Sequence, residues 1–125
     1  MYRIAVLTSS ETQEAFYIEQ LSRFCFERGL FPKMDCYRGQ ELFFDVARVN
    51  APTCTVIALP GVEGLNAVEH LRTLFPETRI IWCSDLDFSL HAFRLRVDYF
   101  LLAGTFYMVR WEKNVCLIPG GSQQT

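Results

Sequence analysis

Short apolar runs and helical stripes of apolar residues alternate along the chain. Residues 3–8 form a β-branched and apolar run that predicts a first strand. Ser10 follows as a candidate helix N-cap, with Gln13 three residues later, and the helix is predicted to end at Gly29. The apolar positions of this helix are Tyr17, Ile18, Leu21, Phe24 and Cys25. A stripe with this spacing indicates a helix that packs one face against a sheet.

The same alternation continues through the middle of the chain. Residues 33–37 predict a second strand, and a second helix is predicted after Gly39. One side of that helix is expected to carry Leu42, Phe43, Val46 and Ala47. Residues 53–59 carry no charge, which is typical of a central strand buried on both faces. A third helix, with Leu65, Val68, Leu71 and Leu74, should end before Pro76, because proline disfavours helical geometry in the preceding residue.

The last third of the chain predicts two more strands and two more helices. Residues 79–83 are predicted as the fourth strand, 88–95 as the fourth helix and 97–102 as the fifth strand. Residues 105–115 are predicted as a fifth helix. A terminal strand is the alternative for that segment, because it is rich in β-prone residues: Phe106, Tyr107, Met108, Val109 and Trp111.

Five strand and helix pairs within 125 residues predict a single α/β domain, residues 1–119, followed by a polar tail, residues 120–125. With right-handed crossovers the parallel sheet takes the order 2-1-3-4-5, which is a flavodoxin-like (βα)5 three-layer sandwich. Functional sites in such sheets form beyond the carboxyl ends of the strands. Candidate chemistry is therefore expected there.

Composition and charge exclude several function classes. The formal charge of −2 provides no field to hold polyanions, so direct nucleic-acid binding is not expected. No apolar stretch reaches the length of a membrane span, and the N-terminal apolar run is too short for a signal peptide, so a cytoplasmic protein is expected. The cysteines are odd in number and show no C-x-x-C spacing, which predicts reduced core thiols. They are Cys25, Cys36, Cys54, Cys83 and Cys116.

Four segments carry a resemblance to a known family: LPGVEGLNA (59–67), IIWCSD (80–85), DFSLHAF (87–93) and VDYFLL (97–102). In this order and spacing the chain resembles the response-regulator receiver domain of the CheY-like superfamily. It is most similar to the receivers that precede LytTR-type DNA-binding domains. The resemblance covers residues 3–115 and implies a role in bacterial two-component signal transduction or transcription regulation.

The resemblance also implies a phosphorylation site made of five residues. Two acids after the first strand hold magnesium, an Asp ending the third strand accepts the phosphoryl group, a Ser or Thr ends the fourth strand, and a Lys ends the fifth. In this sequence the acid pair falls on Thr8 and Ser9, and the acceptor falls on Val56. A gap of one or two residues would move the acceptor to Ile57 or Ala58.

The remaining positions are Ser84, which keeps the hydroxyl, and Leu102, which replaces the Lys. The pattern predicts a degenerate pseudo-receiver that is not an enzyme and uses no metal or other cofactor. The nearest acids, Glu11, Glu63 and Asp85, are expected to be solvated or to cap helices.

The face formed by the fourth helix, fifth strand and fifth helix is a common partner surface in receivers. Its predicted residues here are Leu90, Phe93, Arg94, Arg96, Tyr99, Phe100, Arg110 and Trp111. Aromatic residues and Arg are enriched at interaction hot spots, although Phe93, Phe100 and Trp111 could instead belong to the core. The predicted function is a phosphorylation-independent protein-interaction domain that binds a protein partner or forms a homodimer. The alternatives are the receiver portion of a LytTR-type DNA-binding response regulator and a small-molecule sensor that uses the strand-end pocket.

Overall fold

The computed structural model describes residues 3–102, apart from the side chain of Phe24. These residues form strands and helices in strict alternation: β1 (Arg3–Thr8), α1 (Glu11–Glu27), β2 (Lys33–Tyr37), α2 (Gln40–Val49), β3 (Cys54–Ala58), α3 (Gly61–Leu74), β4 (Arg79–Ser84), α4 (Ser89–Arg94) and β5 (Tyr99–Leu102). The predicted helix or strand of residues 105–115, including Arg110 and Trp111, and the polar tail of residues 120–125 lie outside the described residues.

The five strands form one parallel sheet in the order β2-β1-β3-β4-β5, which confirms the predicted fold class. All five residues of β3 are buried, as expected of a central strand. Two register pairs mark the carboxyl edge of the sheet: Thr8 of β1 lies beside Ala58 of β3, and Ser84 of β4 lies beside Leu102 of β5. The ends of these strands therefore meet along one edge.

Each face of the sheet has its own apolar cluster. On one face α1 buries Tyr17, Leu21 and Cys25, which confirms the predicted stripe. On the other face α2, α3 and α4 bury Phe43, Phe44, Ala47, Ala67, Val68, Leu71 and Ala92. The described residues therefore form three layers, with the sheet in the middle.

The predicted apolar face of α2 is wrong at one position. Leu42 is 60% exposed, and Phe44 is buried in its place. The helix turns Phe43, Phe44 and Ala47 towards the sheet, and this rotation carries Leu42 to the solvent side. Both orientations bury apolar side chains, so the pattern did not distinguish them.

Capping residues set the ends of α1 as the sequence predicts. The Ser10 Oγ accepts a hydrogen bond from the Gln13 N–H at 3.2 Å, and the chain leaves the helix through Gly29 with a φ of +72°. In contrast, α4 is shorter than predicted and ends at Arg94. Two residues later, Arg96 takes the left-handed conformation with a φ of +56°, which cannot continue a helix.

A buried arginine holds the segment after α4. Arg72 of α3 is 8% exposed, and its guanidinium donates hydrogen bonds to backbone carbonyl oxygens only. The acceptors are Leu95, Pro76, Thr78 and Arg96, at 2.8 to 2.9 Å, and Phe75 at 3.4 Å. Because these carbonyls belong to the α3–β4 and α4–β5 connections, Arg72 joins the two connections and fixes the path of the chain between α4 and β5.

Within residues 3–102 the helices are too short or too polar for any of them to cross a bilayer.

Candidate functional site

A small cleft opens at the carboxyl edge of the sheet, where β1, β3 and β4 end. Its volume is about 90 Å³, and its lining comes from α1, the strand ends and the β4–α4 loop. The lining residues are Ser9, Gln13, Tyr17, Ala58, Leu59, Pro60, Cys83, Ser84 and Asp85. This is the edge of the sheet at which the sequence predicted candidate chemistry.

The two residues at the position of the acid pair differ in their surroundings. Thr8 is fully buried, and its Oγ1 donates a hydrogen bond to the Ser10 carbonyl oxygen at 3.2 Å. Ser9 is exposed and lines the cleft. Neither side chain carries a negative charge, so this end of β1 offers hydroxyl groups where a metal site would require carboxylates.

The structure places Ala58, not Val56, at the cleft. Val56 is fully buried in the apolar cluster under α1, while Ala58 is the last residue of β3 and lines the cleft. Side chains two residues apart share one face of a strand, so Val56 lies one pleat deeper than the strand end. Only Leu59 and Pro60 separate β3 from α3, so Ala58 is the last strand residue before the turn. The acceptor position stays a prediction, Val56 without a gap and Ala58 with a gap of two residues.

Ser84 and Leu102 are register partners with different access to the cleft. Ser84 is 2% exposed, lines the cleft, and accepts a hydrogen bond through its Oγ from the Leu86 N–H at 3.0 Å. Leu102 is 39% exposed and is not part of the cleft lining. An aliphatic side chain at Leu102 offers no charge to neutralise an anion.

One carboxylate lines the cleft, and it is engaged by backbone. The Asp85 Oδ1 accepts a hydrogen bond from the Gly61 N–H at 2.7 Å. Gly61 is the first residue of α3, whose N-cap Pro60 provides no side-chain cap. The capping interpretation of Asp85 agrees with this bond. Of the other two acids predicted near this edge, Glu11 lies 3.7 Å from Arg38, and Glu63 is exposed in the first turn of α3.

The cleft does not fit the magnesium ion that receivers hold. Mg²⁺ prefers several oxygen ligands, with carboxylates among them. Among the described residues, the cleft offers the neutral oxygens of Ser9, Gln13 and Ser84, the methyl group of Ala58 and one carboxylate, which already binds the Gly61 amide. Among residues 3–102, no three His, Cys, Asp or Glu side chains come together in a group that could hold a metal ion.

The inner wall of the cleft stays neutral. Tyr17 and Cys83 are hydrogen-bonded to each other, and burial raises the pKa of Tyr17 well above its usual value. Burial likewise raises the pKa of the Cys83 thiol to about 11 and that of Cys54 to about 12. Cys25, Cys54 and Cys83 are buried free thiols and Cys36 is half-buried, as predicted, while Cys116 lies outside the described residues.

The predicted interaction surface divides into exposed and packed residues. Leu90 and Phe93 are 75% and 82% exposed on α4. Arg94 and Arg96 are also exposed. Tyr99 packs partly against the α1 face of the core. Phe100 packs on the other face, with its ring 5.1 Å from that of Trp82. The core alternative is therefore wrong for Phe93 and correct for much of Phe100.

Sequence reasoning missed two features of this region. Gln13, Tyr17 and Cys83 line the cleft, although they were assigned only to capping and packing. Leu86, in the loop before α4, is 48% exposed. No local signal identified it, because it lies outside the helix, where helical spacing does not apply.

Comparisons with known proteins identify the fold. No protein-family model and no curated protein sequence matches the chain. Solved structures do match, among them the response regulator TrrA from Thermotoga maritima in complex with Mg²⁺–BeF. It has 16% sequence identity and a TM-score of 0.73, and the match covers 94% of this chain and 99% of that one.

Two further solved structures have the same architecture. The match to response regulator DrrB, an OmpR/PhoB homolog from T. maritima, has 18% identity and a TM-score of 0.69, and covers 94% of this chain and 52% of that one. The match to the CheY-like protein tadZ from Pseudomonas aeruginosa has 17% identity and a TM-score of 0.59. It covers 86% of this chain and 94% of that one. The chain therefore has the CheY-like flavodoxin fold of receiver domains. A particular closeness to LytTR-type receivers stays a prediction.

Proposed function

We propose that this chain is a degenerate receiver domain that associates with protein without being phosphorylated. The observation that carries this proposal is the composition of the strand-end cleft. The resemblance to receivers assigns a metal ligand to Ser9, the phosphoryl acceptor to Val56 or, with a gap of two residues, to Ala58, and the Lys to Leu102. Ser9 and Ala58 line the cleft. The receiver fold supports a role in bacterial signal transduction or transcription regulation.

Chemistry at the cleft supports the same reading. A phosphoryl acceptor needs a nucleophilic lone pair, which the methyl group of Ala58 lacks. Transfer also needs cations to neutralise the phosphoryl oxygens. Ser84 keeps its hydroxyl, but that group accepts a hydrogen bond from its own loop. The proposed domain is therefore not an enzyme and uses no metal or cofactor.

An exposed apolar face supports the interaction role. Leu86, Leu90 and Phe93 are spaced four and three residues apart, and each is about half exposed or more. Leu90 and Phe93 lie on one side of α4, because side chains three residues apart on a helix are neighbours, and Leu86 is exposed in the loop just before it. Exposed apolar side chains grouped in this way are typical of an interaction site.

Charge at the two ends of α4 favours a second copy of the chain as the partner. Asp87 precedes the helix. At the other end, Arg94 is the last residue of the helix and Arg96 follows it. In a twofold dimer with antiparallel α4 helices, the acidic end of one helix lies opposite the basic end of its partner, because a twofold interface is self-complementary. Leu90 and Phe93 then meet near the twofold axis.

Substitution of Phe93 by Glu tests this surface. We expect the dissociation constant of the homodimer to rise at least about tenfold, because two charges are brought to the centre of an apolar interface. Sedimentation equilibrium over a range of concentrations measures this change. Since Phe93 is 82% exposed, the melting temperature should stay close to that of the wild type.

Val49→Glu provides the matched control, because Val49 is 88% exposed on α2, away from the proposed surface. This variant should associate as the wild type does. Equal association of the Phe93 variant and the control would exclude the surface. A wild-type protein that stays monomeric at every concentration would exclude self-association and leave another protein as the partner.

The two alternative functions have unequal support. A cleft of about 90 Å³ is well below the roughly 300 Å³ at which ligand pockets begin, which disfavours a small-molecule sensor. The DrrB match covers only 52% of that chain, so the receiver portion of a longer regulator stays a second candidate. Under both readings the described domain acts through protein contacts.

A further inference from the structure

Hydrogen bonds from side chains to backbone hold the loop between β4 and α4. The Ser84 Oγ accepts from the Leu86 N–H at 3.0 Å, and the Asp87 Oδ1 accepts from the Ser89 N–H at 3.0 Å. Both bonds stay inside the loop or at the start of α4. Asp85 differs, because its Oδ1 accepts from Gly61 at 2.7 Å and so joins the loop to α3.

The Asp85 carboxylate meets a backbone position that needs an acceptor. The first N–H groups of a helix have no partner within the helix, and they carry a partial positive charge that favours an anion. Pro60 precedes α3 and supplies no side-chain cap. Glu63 places an acid in this turn, but Asp85 provides, from a different element, the hydrogen-bond acceptor for the Gly61 N–H that Pro60 cannot supply.

The loop in turn sets the position of α4. This helix has six residues, and Ala92 is the one residue among them that is fully buried. Just before it, the Phe88 ring stacks on Trp82 at 5.5 Å. So short a helix depends on its flanking loops for its orientation. A bond that fastens the loop also fixes the direction in which Leu86 and Leu90 face solvent.

We propose that Asp85 is a positioning residue, a permanent intramolecular anion that fastens the β4–α4 loop to the start of α3 and so presents the apolar face of α4 in one arrangement. This inference rests on the proposed function, because it explains how the interaction surface is held without a phosphoryl group. The role of Asp85 is positional, since its carboxylate binds the Gly61 amide and not the partner.

Hydrogen exchange in the Asp85→Ala variant tests directly whether Asp85 fastens the β4–α4 loop to α3. Loss of a capping acceptor should speed exchange of the Gly61 amide and of the amides of residues 86–90 by about fivefold or more. Asp85→Asn keeps an acceptor oxygen without the charge and should show a smaller increase. The matched control is Asp87→Ala, which removes a carboxylate from the same loop without touching Gly61, and it should leave the Gly61 rate unchanged.

Self-association of the same variants tests the positioning role. Asp85→Ala should weaken the homodimer by about fivefold, in line with the opening of the loop. An unchanged exchange rate of the Gly61 amide in this variant would contradict the proposed attachment of the loop to α3 through Asp85. Faster exchange with an unchanged dissociation constant would overturn its role in presenting the surface. A monomeric wild type would instead contradict the proposed self-association. The exchange rates of Gly61 and of residues 86–90 would still show whether Asp85 fastens the loop to α3.

Discussion

Replacement of Arg72 by Met is expected to lower the free energy of unfolding by about 3 kcal/mol. The guanidinium is buried, and its hydrogen-bond partners are carbonyl oxygens of the α3–β4 and α4–β5 connections. Met fills a similar volume but donates nothing, so those carbonyls lose their partners in a site with little access to water. Urea denaturation followed by circular dichroism measures the loss.

Two further variants separate the hydrogen bonds from other effects of the substitution. Arg72→Lys keeps the charge but has a single ammonium group, which cannot reach all of the acceptors, so we expect about half of the loss. Arg48→Met makes the same chemical change at an exposed site on α2, where the arginine pairs only with Asp45, and it should change stability by less than about 0.5 kcal/mol. Equal effects at Arg72 and Arg48 would contradict the structural role of Arg72.

Gly64→Ala should cost about 2 kcal/mol of stability. Gly64 lies in the first turn of α3, and a Cβ added there would lie 2.5 Å from the Leu59 carbonyl oxygen and 3.2 Å from the Trp82 Nε1. Both neighbours are buried, and the closer one is backbone, so the connection between β3 and α3 must move. Thermal unfolding compared with the wild type measures this cost.

Gly39→Ala is the matched control for that substitution. Gly39 precedes α2 with a negative φ, and an added Cβ would meet nothing within 4 Å. The free energy of unfolding of the Gly39→Ala variant should stay within about 0.5 kcal/mol of that of the wild type. If the Gly64 variant were equally stable, the close packing of α3 against the end of β3 would be wrong.

The substitutions at Gly64 and Arg72 both affect how α3 is placed beside the cleft. Gly64 allows the first turn of α3 to approach Leu59 at the end of the buried strand. Arg72, two turns later, joins the same helix to the connection between α4 and β5. Arg72 thereby joins α3 to the segment that directly follows the helix carrying Leu90 and Phe93.

The strand and helix order could be predicted because each element has its own local signal. The uncharged run ending at Ala58 indicated a strand buried on both faces, and Ser10 and Gly29 marked the ends of α1. The alternation of strands and helices then left few topologies. The strand-end cleft followed from that topology, because parallel strands end at the same edge.

Other features depend on tertiary contacts that have no local signal. The rotation of α2 that exposes Leu42 is decided by packing against the sheet. The shortness of α4 follows from the left-handed conformation at Arg96, beside the carbonyl that Arg72 binds. The placement of Ala58 at the cleft depends on the length of the turn after β3, which an ungapped comparison cannot supply.

Incubation with acetyl phosphate and Mg²⁺, followed by intact-mass measurement, tests the central claim most directly. A receiver that keeps its acceptor Asp serves as the positive control. For this chain we predict an unchanged mass, because Ala58 cannot accept a phosphoryl group and Asp85, the one carboxylate among the described residues that line the cleft, is bound to the α3 backbone. A stable mass increase of one phosphoryl group would contradict the account.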